Sequence, residues 1–488
     1  MRSDPCPFPR RISTTILIAA CLASSAVSGQ EAFQGEVELP PSPLVVNLND
    51  ATVRILADGD AEPVLRWRRL HRDAPGNAEL SAFQSGASVV IERPPLAEGE
   101  RPAALLVEIV TSTESSLGVY GANLDLTVER AAAQEATAPA VEPVENPAPD
   151  GPVDLQLADS RIELQGAGQL SATLHDCDMM LRSGEGDHDI AVLGGRLHEV
   201  DHRGTLKLRS ENAHLTTEGG RGRLELNAVG GSVELRAANY RFKIEVADSG
   251  LQILDAKGTG SVVAVDTSLD LRDTRFDNLS FVSTMSHTTA SQVRGKSTFK
   301  LDGGSLTLDD GEGELTAVAQ NGASLEVAGH RGNLRATVQD DSRATIQEID
   351  GELTLTLQQG EASVVQAKSL ALNARGSWVT ASGIRRLSSM EAFQSEVDLD
   401  LTEVASNAVT LAVQAGSRVR LSLETPCRVH AQGLASSQAS QVDVLGCELQ
   451  LGRGGRWATR RVKGIDGRPP ITVTAKVADT AELIVEGR

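Results

Sequence analysis

One stretch of five residues has the spacing of a metal-binding motif. HEVDH, residues 198–202, matches the H-E-x-x-H signature, which on a helix places two imidazoles on one face so that both bind one zinc ion while the glutamate polarises a water molecule. Only eight residues separate Gly195 from Gly204, too few for the helix that this chemistry needs. On a strand, His198 and His202 would share a face about 13 Å apart, too far to bind one ion together. We therefore predict no zinc protease site here.

A weaker metal hypothesis rests on a local excess of histidine. Five of the nine histidines fall within residues 175–214, beside several aspartates and Cys177. Imidazole, carboxylate and thiolate groups bind transition metals, so neighbouring strands could assemble a site from them. The candidate ligands are His175, His188, His198, His202 and His214. The competing interpretation, which we favour, is a solvated polar segment without metal or other cofactor.

An acidic segment is a second candidate, for calcium. LDGGSLTLDDGEGE, residues 301–314, places carboxylates on glycine-rich turns, which hard cations favour. The order of acidic residues and glycines in this segment matches neither the EF-hand loop nor the glycine-rich calcium repeat. The sequence also lacks a G-x-S-x-G nucleophile motif, a phosphate-binding loop and a dinucleotide fingerprint. We expect acidic turns on a solvated edge, and no catalytic residues.

The elements that would position these residues are short repeated strands. A glycine-containing turn followed by an apolar-x-apolar strand recurs from residue 203 onward, about every 18 residues. The first apolar positions of the repeats are Leu206, Leu224, Ile244, Val263, Leu279, Phe299, Leu315, Leu334 and Leu353. An antiparallel meander or sandwich would also space strands nine or ten residues apart. A two-strand unit of near-constant length is better explained by coils stacked like on like, so we predict an all-β parallel β-solenoid.

Stacked coils lead to two further predictions about side chains. Residues one coil apart lie about 4.8 Å from each other, so His198 and His214, 16 residues apart, could stack at ligand distance. Cys427 and Cys447 are 20 residues apart, close to one coil, and their predicted separation suits a disulfide. Cys177 is then left over, and we expect it to be a small buried apolar residue.

The chain is not uniform along its length. Longer alternating strands precede a Pro/Ala/Glu-rich tract that can bury no core. A basic stretch around Trp457, GRGGRWATRRVKGIDGRPP, lies where we expect a solvated cap to close the last coil. The predicted parts are a signal peptide at 1–29, a β-rich N-terminal segment at 30–130, a linker or insertion at 131–152, a β-solenoid at 153–430, and C-terminal coils with a cap at 431–488.

The N-terminus has the features of a secretory signal peptide. Arginines precede an apolar run at 12–29 that is too short and too serine-rich to span a bilayer. AVS at 26–28 is a candidate cleavage site, whereas IAAC at 18–21 resembles a lipobox that would leave Cys21 lipidated. Both alternatives place the mature chain outside the cytoplasm, in the periplasm, at the cell surface or secreted. No later segment is apolar enough to cross a membrane.

Composition argues against two classes of partner. The formal net charge is −20, which repels nucleic acid and anionic membranes. Only 3 Trp, 2 Tyr and 8 Phe occur in 488 residues, so stacking platforms for sugars or single-stranded nucleic acid are scarce. We expect no nucleic-acid partner and no transmembrane segment.

The strand pattern also carries a family resemblance. LVVNLNDATVRI at 44–55, SLGVYGANLDLTV at 116–128 and the long series of G-x-L-x-L units resemble the bacterial putative-adhesin families, including the head-GIN type. The resemblance covers most of residues 44–430. It implies an exported β-solenoid of the cell surface without enzymatic activity, and it supplies no functional residues to transfer.

These observations lead to one functional hypothesis and two alternatives. We expect a non-enzymatic surface or envelope protein, adhesin-like or a scaffold, that binds a cell-surface or envelope polymer or protein. The first alternative is a carbohydrate-active enzyme, a polysaccharide lyase or hydrolase, on a β-helix scaffold. The second is a metal-binding protein that uses the histidine-rich region at 175–214.

Overall fold

The predicted solenoid is confirmed by the computed structural model. The structure describes residues 35–130, 151–402 and 408–487, with gaps at 41, 58–62, 70–77, 86–87, 95–102, 104, 112–115, 424–426, 434–440, 446–448, 453–455, 460–470 and 479. This part of the chain contains strands and no helix, and parallel strands about 18 residues apart form a β-solenoid of about 15 turns. The contacts divide the chain into two compact units, residues 1–232 and 233–488.

The strands are numbered in chain order. The N-terminal strands are β1 (Gly35–Glu38), β2 (Leu44–Ala57), β3 (Val64–Arg69), β4 (Ser81–Ser85), β5 (Ser88–Glu92), β6 (Leu105–Thr111) and β7 (Leu117–Arg130). The following strands of regular coils are β8 (Val153–Ala158), β9 (Arg161–Gln165), β10 (Leu170–Arg182), β11 (Glu185–Val200), β12 (Arg203–Glu211), β13 (His214–Glu218), β14 (Arg221–Val229), β15 (Ser232–Arg236), β16 (Asn239–Ala247), β17 (Gly250–Leu254), β18 (Lys257–Val265), β19 (Ser268–Arg272), β20 (Arg275–Thr284), β21 (His287–Ser291), β22 (Arg294–Asp302) and β23 (Ser305–Asp309).

The later strands complete the chain, and their lengths are less regular. They are β24 (Glu312–Gln320), β25 (Ser324–Ala328), β26 (Arg331–Gln339), β27 (Arg343–Gln358), β28 (Glu361–Arg375), β29 (Trp378–Ile384), β30 (Leu387–Phe393), β31 (Glu396–Leu401), β32 (Ala408–Gln414), β33 (Arg418–Leu423), β34 (Cys427–Gly433), β35 (Gln441–Leu445), β36 (Leu449–Gly452), β37 (Arg456–Thr459), β38 (Ile471–Val477) and β39 (Glu482–Gly487).

Within each unit, the core consists of apolar columns that run from coil to coil. In the first unit Leu206 pairs in register with Leu224, and both are fully buried. Because successive side chains of a strand point to opposite faces, the two-residue alternation places one set inside and the other in solvent. The parallel pairing puts like on like in neighbouring coils, so burial of these columns provides the apolar stabilisation of the fold.

One predicted core position was wrong. Val263 is 38% exposed, and its neighbours Val262 and Ala264 are the inward residues. In this coil the position that pairs in register with Leu279 is Gly260. The position that pairs with Phe276 is Gly258. In VVAV, residues 262–265, four small apolar residues follow one another without a polar residue between them, so the sequence pattern did not show which of them point inward.

Small residues make room for large ones in adjacent coils. Phe242 pairs with Gly260, and its ring packs edge-on against Phe276 with ring centres 5.6 Å apart. In the first unit Gly204 lies against the coil below, where an added methyl group would lie 2.1 Å from the carbonyl oxygen of Gly186. Gly204 has φ +134°, a region that favours glycine.

A buried serine column stabilises one corner of the coils in the second unit. The Ser377 hydroxyl donates to the Arg375 carbonyl at 2.7 Å, while the Ser377 amide donates to the Ser395 hydroxyl at 3.2 Å. The Ser395 amide in turn donates to the hydroxyl of Ser417 at 3.2 Å. Each hydroxyl therefore donates to a carbonyl of its own coil and accepts from an amide of the neighbouring coil. Buried polar groups need such hydrogen-bond partners.

The N-terminal strands belong to the same stack as the regular coils of the first unit. β2 pairs in parallel with β5, β6 and β7, while β3 is antiparallel to β1 and β6. β7 then pairs in parallel with β8 and β9. The strands on the two sides of the predicted linker therefore lie in neighbouring coils. Residues 1–29, where we predict a signal peptide, and residues 131–150 of the predicted linker lie outside the described residues.

The C-terminal strands do not form the last coil in space. β38 pairs in parallel with both β32 and β34, and β39 with both β33 and β35. The coil at 471–487 therefore lies between the coil at 408–423 and the coil at 427–445. The coils at this end of the chain are therefore not stacked in the order of the sequence. Of the basic stretch, the structure describes the backbone of β37, which is antiparallel to β34 and β36.

Candidate functional site

The H-E-x-x-H segment lies on a strand end and a turn. His198 and Glu199 lie in β11, which ends at Val200, and Asp201 follows with φ +59°. The predicted absence of a helix is confirmed. The expectation that the two histidines share a face was wrong, because the turn at Asp201 interrupts the alternation. His198 is part-exposed, with Nε2 3.7 Å from a Glu218 carboxylate oxygen, whereas His202 is fully buried.

The buried half of this segment forms a histidine pair inside the coil. The rings of His188 and His202 lie 4.4 Å apart, centre to centre, and both residues are buried. Gly184, one coil below His202, makes room for them: an added methyl group would lie 2.3 Å from His188 Cε1 and 3.1 Å from His202 Nδ1. The His188 Nε2 atom lies 3.2 Å from the Ala167 carbonyl oxygen and 3.1 Å from that of Gly168, so Nε2–H donates to both.

Burial keeps this histidine pair uncharged at neutral pH. Loss of hydration lowers the pKa of His188. The same cause, with repulsion from His188 as the second cause, lowers the pKa of His202 to about 4. Neither imidazole opens to solvent, so neither is available to a substrate at the surface.

Glu199 occupies a core column that is otherwise apolar or neutral. It pairs in register with Leu181 on one side and Thr217 on the other, and it is fully buried. Neither carboxyl oxygen has a hydrogen-bond partner in the described part of the chain. Burial, with a contribution from Asp201, raises the pKa of Glu199 to about 8, although the nearby His202 backbone amide opposes the shift. The carboxyl group is therefore protonated at pH 7.

The predicted stacking of His198 on His214 was wrong. The register is 18 residues, so His198 pairs with Thr216 and His214 pairs with Arg196. His214 Nδ1 hydrogen-bonds the Ser232 hydroxyl, and His175 is exposed on β10. Of the five candidate ligands, His188 and His202 are therefore buried inside the coils, and the other three lie on the outer surface. Within the described ranges, no group of three or more His, Cys, Asp or Glu side chains is placed to hold a metal ion.

The cysteines divide between described and undescribed positions. Cys177 is buried, and its thiol donates to the His175 carbonyl at 3.2 Å, with a pKa raised by burial. Cys21 and Cys447 lie outside the described residues, as does the Cys427 side chain. The backbone of Cys427 pairs with Ile471, so the one-coil spacing argument for a Cys427–Cys447 disulfide does not apply there. The disulfide and the lipidation of Cys21 stay predictions.

The acidic segment at 301–314 is partly neutralised by basic neighbours. Glu312 pairs with Arg294 at 3.8 Å, and Glu314 with Lys296 at 3.2 Å. Both acids lie one coil away from their partners, in register. These exposed pairs use two of the carboxylates that the calcium hypothesis relied on, and such pairs contribute little to stability.

A groove on the second unit has a side chain that the sequence reasoning missed. The groove has a volume of about 740 Å³ and lies along one turn of successive coils. Its principal lining side chains are Arg343, Gln359, Glu361, Trp378, Gln394 and Glu396. Trp378 is 57% exposed. The signal for it was present in the sequence, because an aromatic residue stands at an outward position of the repeat, where polar residues stand in the coils on both sides.

The charges around Trp378 are predominantly negative. Glu361 and Glu396 lie on either side of it in register, one coil below and one coil above. Arg343 pairs with Glu361 at 3.2 Å, and Asp341 adds a third carboxylate to the lining. Arg418, the next residue above Glu396, instead pairs with Glu482 at 3.2 Å. The groove therefore combines an exposed indole with carboxylates, of which Glu396 has no cation as a partner among the described residues.

The fold and these sites define an all-β, parallel β-solenoid protein with an acidic aromatic groove. No protein-family model matches the chain, and no curated protein sequence matches it. Among solved structures, the chain is similar to a crystal structure described as a putative cell adhesion protein from Clostridium sporogenes ATCC 15579. That alignment covers 93% of this chain and 98% of the other, at 6% identity and a TM-score of 0.13. The fold assignment rests on the strand pairing of this chain and not on that alignment.

No membrane-spanning helix is found in the described ranges: none there has the length and hydrophobicity that crossing a bilayer requires.

Proposed function

We propose that this protein is a non-enzymatic, adhesin-like protein of the cell surface or envelope, outside the cytoplasm, whose solenoid binds an extended partner. The observation that carries the proposal is the register of the coils. Outward residues such as Arg343, Glu361, Trp378 and Glu396 stand in line, each one coil from the next. A column spaced at about 4.8 Å offers repeated contacts to a polymer or a flat protein surface.

The net charge of the chain limits the kinds of partner that it can bind. The chain carries a net charge of −20, so its field disfavours polyanions at low ionic strength. The partner that fits is an uncharged or basic envelope polymer, or a protein with a basic surface. Repetition along the stack would raise the avidity for a repetitive partner without requiring strong individual contacts.

The proposal is tested by binding to isolated cell envelopes. The mature chain should bind saturably to envelope preparations, and the preparations should release no soluble product during incubation. Fractionation of cells that express the full chain tests the location, with a Cys21→Ala variant to separate lipid anchoring from free secretion. Failure to bind any envelope fraction, or recovery of the chain in the cytoplasm, would refute the proposal.

One observation favours the alternative of a carbohydrate-active enzyme. Glu361 and Glu396 lie on the two sides of the exposed Trp378 ring, two coils apart, and glycoside hydrolysis uses a pair of carboxyl groups. Release of oligosaccharide from an envelope polysaccharide, abolished by Glu361→Gln or Glu396→Gln, would establish that alternative. Binding without release would exclude it for the polymers tested.

A further inference from the structure

We propose that Trp378 is the stacking platform of a binding subsite for a glycan that carries no acidic groups. The inference deepens the proposed function and rests on it. It assigns a ligand class to the groove, and it identifies the side chain on which binding depends. The following observations support it.

Trp378 is the aromatic member of a column of outward polar side chains. The column runs through consecutive coils in register, and every other member is polar. Its members are Ser305, Ser324, Arg343, Glu361, Trp378, Glu396 and Arg418. An indole ring that is 57% exposed leaves apolar surface in water that burial would stabilise. A ligand with an apolar face can cover that surface, and the pyranose ring of a sugar presents such a face.

The platform is held rigidly in place by its backbone. The Trp378 amide donates to the Gly360 carbonyl at 3.1 Å. The preceding residue, Ser377, is buried and belongs to the serine column described above. Since the backbone is fixed by neighbouring coils, only the side-chain torsions must be ordered on binding, which limits the entropic cost.

The rest of the lining suits sugar hydroxyls and amines. Gln359 and Gln394 offer amide donors and acceptors, and Glu396 offers a carboxylate that no described cation neutralises. Asp341, Glu361 and Glu396 outnumber Arg343, so the groove repels acidic sugars and phosphates. An ammonium group near Glu396 and the indole face would gain both ionic and cation–π attraction. Amino sugars should therefore bind more tightly than neutral sugars.

The experiment is titration of the folded chain with three defined hexasaccharides, by calorimetry and by tryptophan fluorescence. The probes are a β-1,4-linked glucosamine oligomer, a neutral β-1,4-linked glucose oligomer and an α-1,4-linked galacturonic acid oligomer. We expect binding of the first two, tighter for glucosamine at low salt, and none of the third. Trp378→Ala should weaken binding at least tenfold, and Glu396→Gln should weaken the glucosamine oligomer selectively.

Phe393→Ala is the matched control variant. Phe393 is an exposed aromatic residue, 43% exposed, in the coil stack that contains Trp378, and it is not among the groove-lining residues. Its substitution should leave the affinities unchanged. Because Trp378 is exposed, Trp378→Ala should retain the wild-type circular dichroism spectrum and melting temperature, which separates loss of binding from loss of the fold.

The possible outcomes separate the subsite from the broader function. Equal affinities of wild type and Trp378→Ala, or binding of the acidic oligomer as tight as that of the others, would overturn the subsite. If Trp378→Ala also still bound envelopes, the adhesin-like function would stand without this subsite. Oligosaccharide binding by wild type that is lost in Trp378→Ala, without binding to any envelope fraction, would support the subsite and refute the envelope role.

Discussion

The buried carboxyl group of Glu199 makes the stability of its coil depend on pH. Glu199 has a pKa of about 8 in the folded chain, against an ordinary value of 4.5. In the unfolded chain the group ionises above pH 4.5, whereas in the fold it stays protonated to about pH 8. The unfolded state therefore binds fewer protons between these values, and stability falls as pH rises through this window.

The magnitude follows from the size of the shift. Each pH unit in the window costs about 1.4 kcal/mol, so the loss is about 3 kcal/mol at pH 7 and about 5 kcal/mol above pH 8. Glu199→Gln replaces the carboxyl with a neutral group of similar shape and removes this dependence. The stability advantage of Glu199→Gln should therefore be small at pH 5 and increase steadily to pH 8.

Hydrogen exchange with mass spectrometry measures this locally, which suits a repeat protein whose coils need not unfold together. Amides of residues 196–200 should be protected more in Glu199→Gln than in wild type. The ratio of protection should rise about tenfold per pH unit between 4.5 and 8, reaching about 300-fold at pH 7. Intrinsic exchange rates cancel in the ratio at each pH. A ratio that does not change with pH would mean that Glu199 is ionised in the fold, and would refute the reasoning.

Three further outcomes follow from the same structure. Gly184→Ala should destabilise by about 2 kcal/mol through overpacking against His188, and a double variant with His188→Ala should recover most of that loss in thermal denaturation. His202 has a pKa of about 4 in the fold, so the unfolded chain binds more protons between pH 6.5 and 4. Stability should therefore fall by about 3 kcal/mol as the pH drops through this range. Hydrogen exchange of His202→Leu should show a smaller loss of stability at acid pH. Phe281→Ala, in a ring pair with centres 5.4 Å apart, should cost about 3 to 5 kcal/mol, whereas Val282→Ala at the surface should change the melting temperature little.

The repeat was predictable because its physical signal is strong. Leu206, Leu224, Leu315, Leu334 and Leu353 were placed in the core correctly, since polar residues flank each of them and mark the outward phase. The coil length followed from their spacing. The order of the last coils was not predictable, because pairing of 471–487 between earlier coils depends on non-local contacts that no local pattern encodes.

The candidate sites were less predictable than the fold. The nearby glycines were enough to predict that the H-E-x-x-H segment is not helical, but the inward direction of His202 depends on the turn at Asp201. The register between these coils is 18 residues, two more than the 16 residues from His198 to His214, so these two histidines do not pair. Trp378 was missed because a low total of aromatic residues does not show where a single exposed ring lies on the coils.

The position of the coil at 471–487 has a consequence for how this end of the molecule assembles. Strands β34 and β35 cannot reach their native parallel neighbours until β38 and β39, which follow them in the chain, have been made. Folding that propagates coil by coil therefore cannot follow the order of the sequence beyond residue 423, because the next coil in space, at 471–487, comes later in the chain. In the folded chain, β38 and β39 are hydrogen-bonded to neighbouring strands on both edges. A single backbone cleavage between β37 and β38 would then leave the two fragments associated.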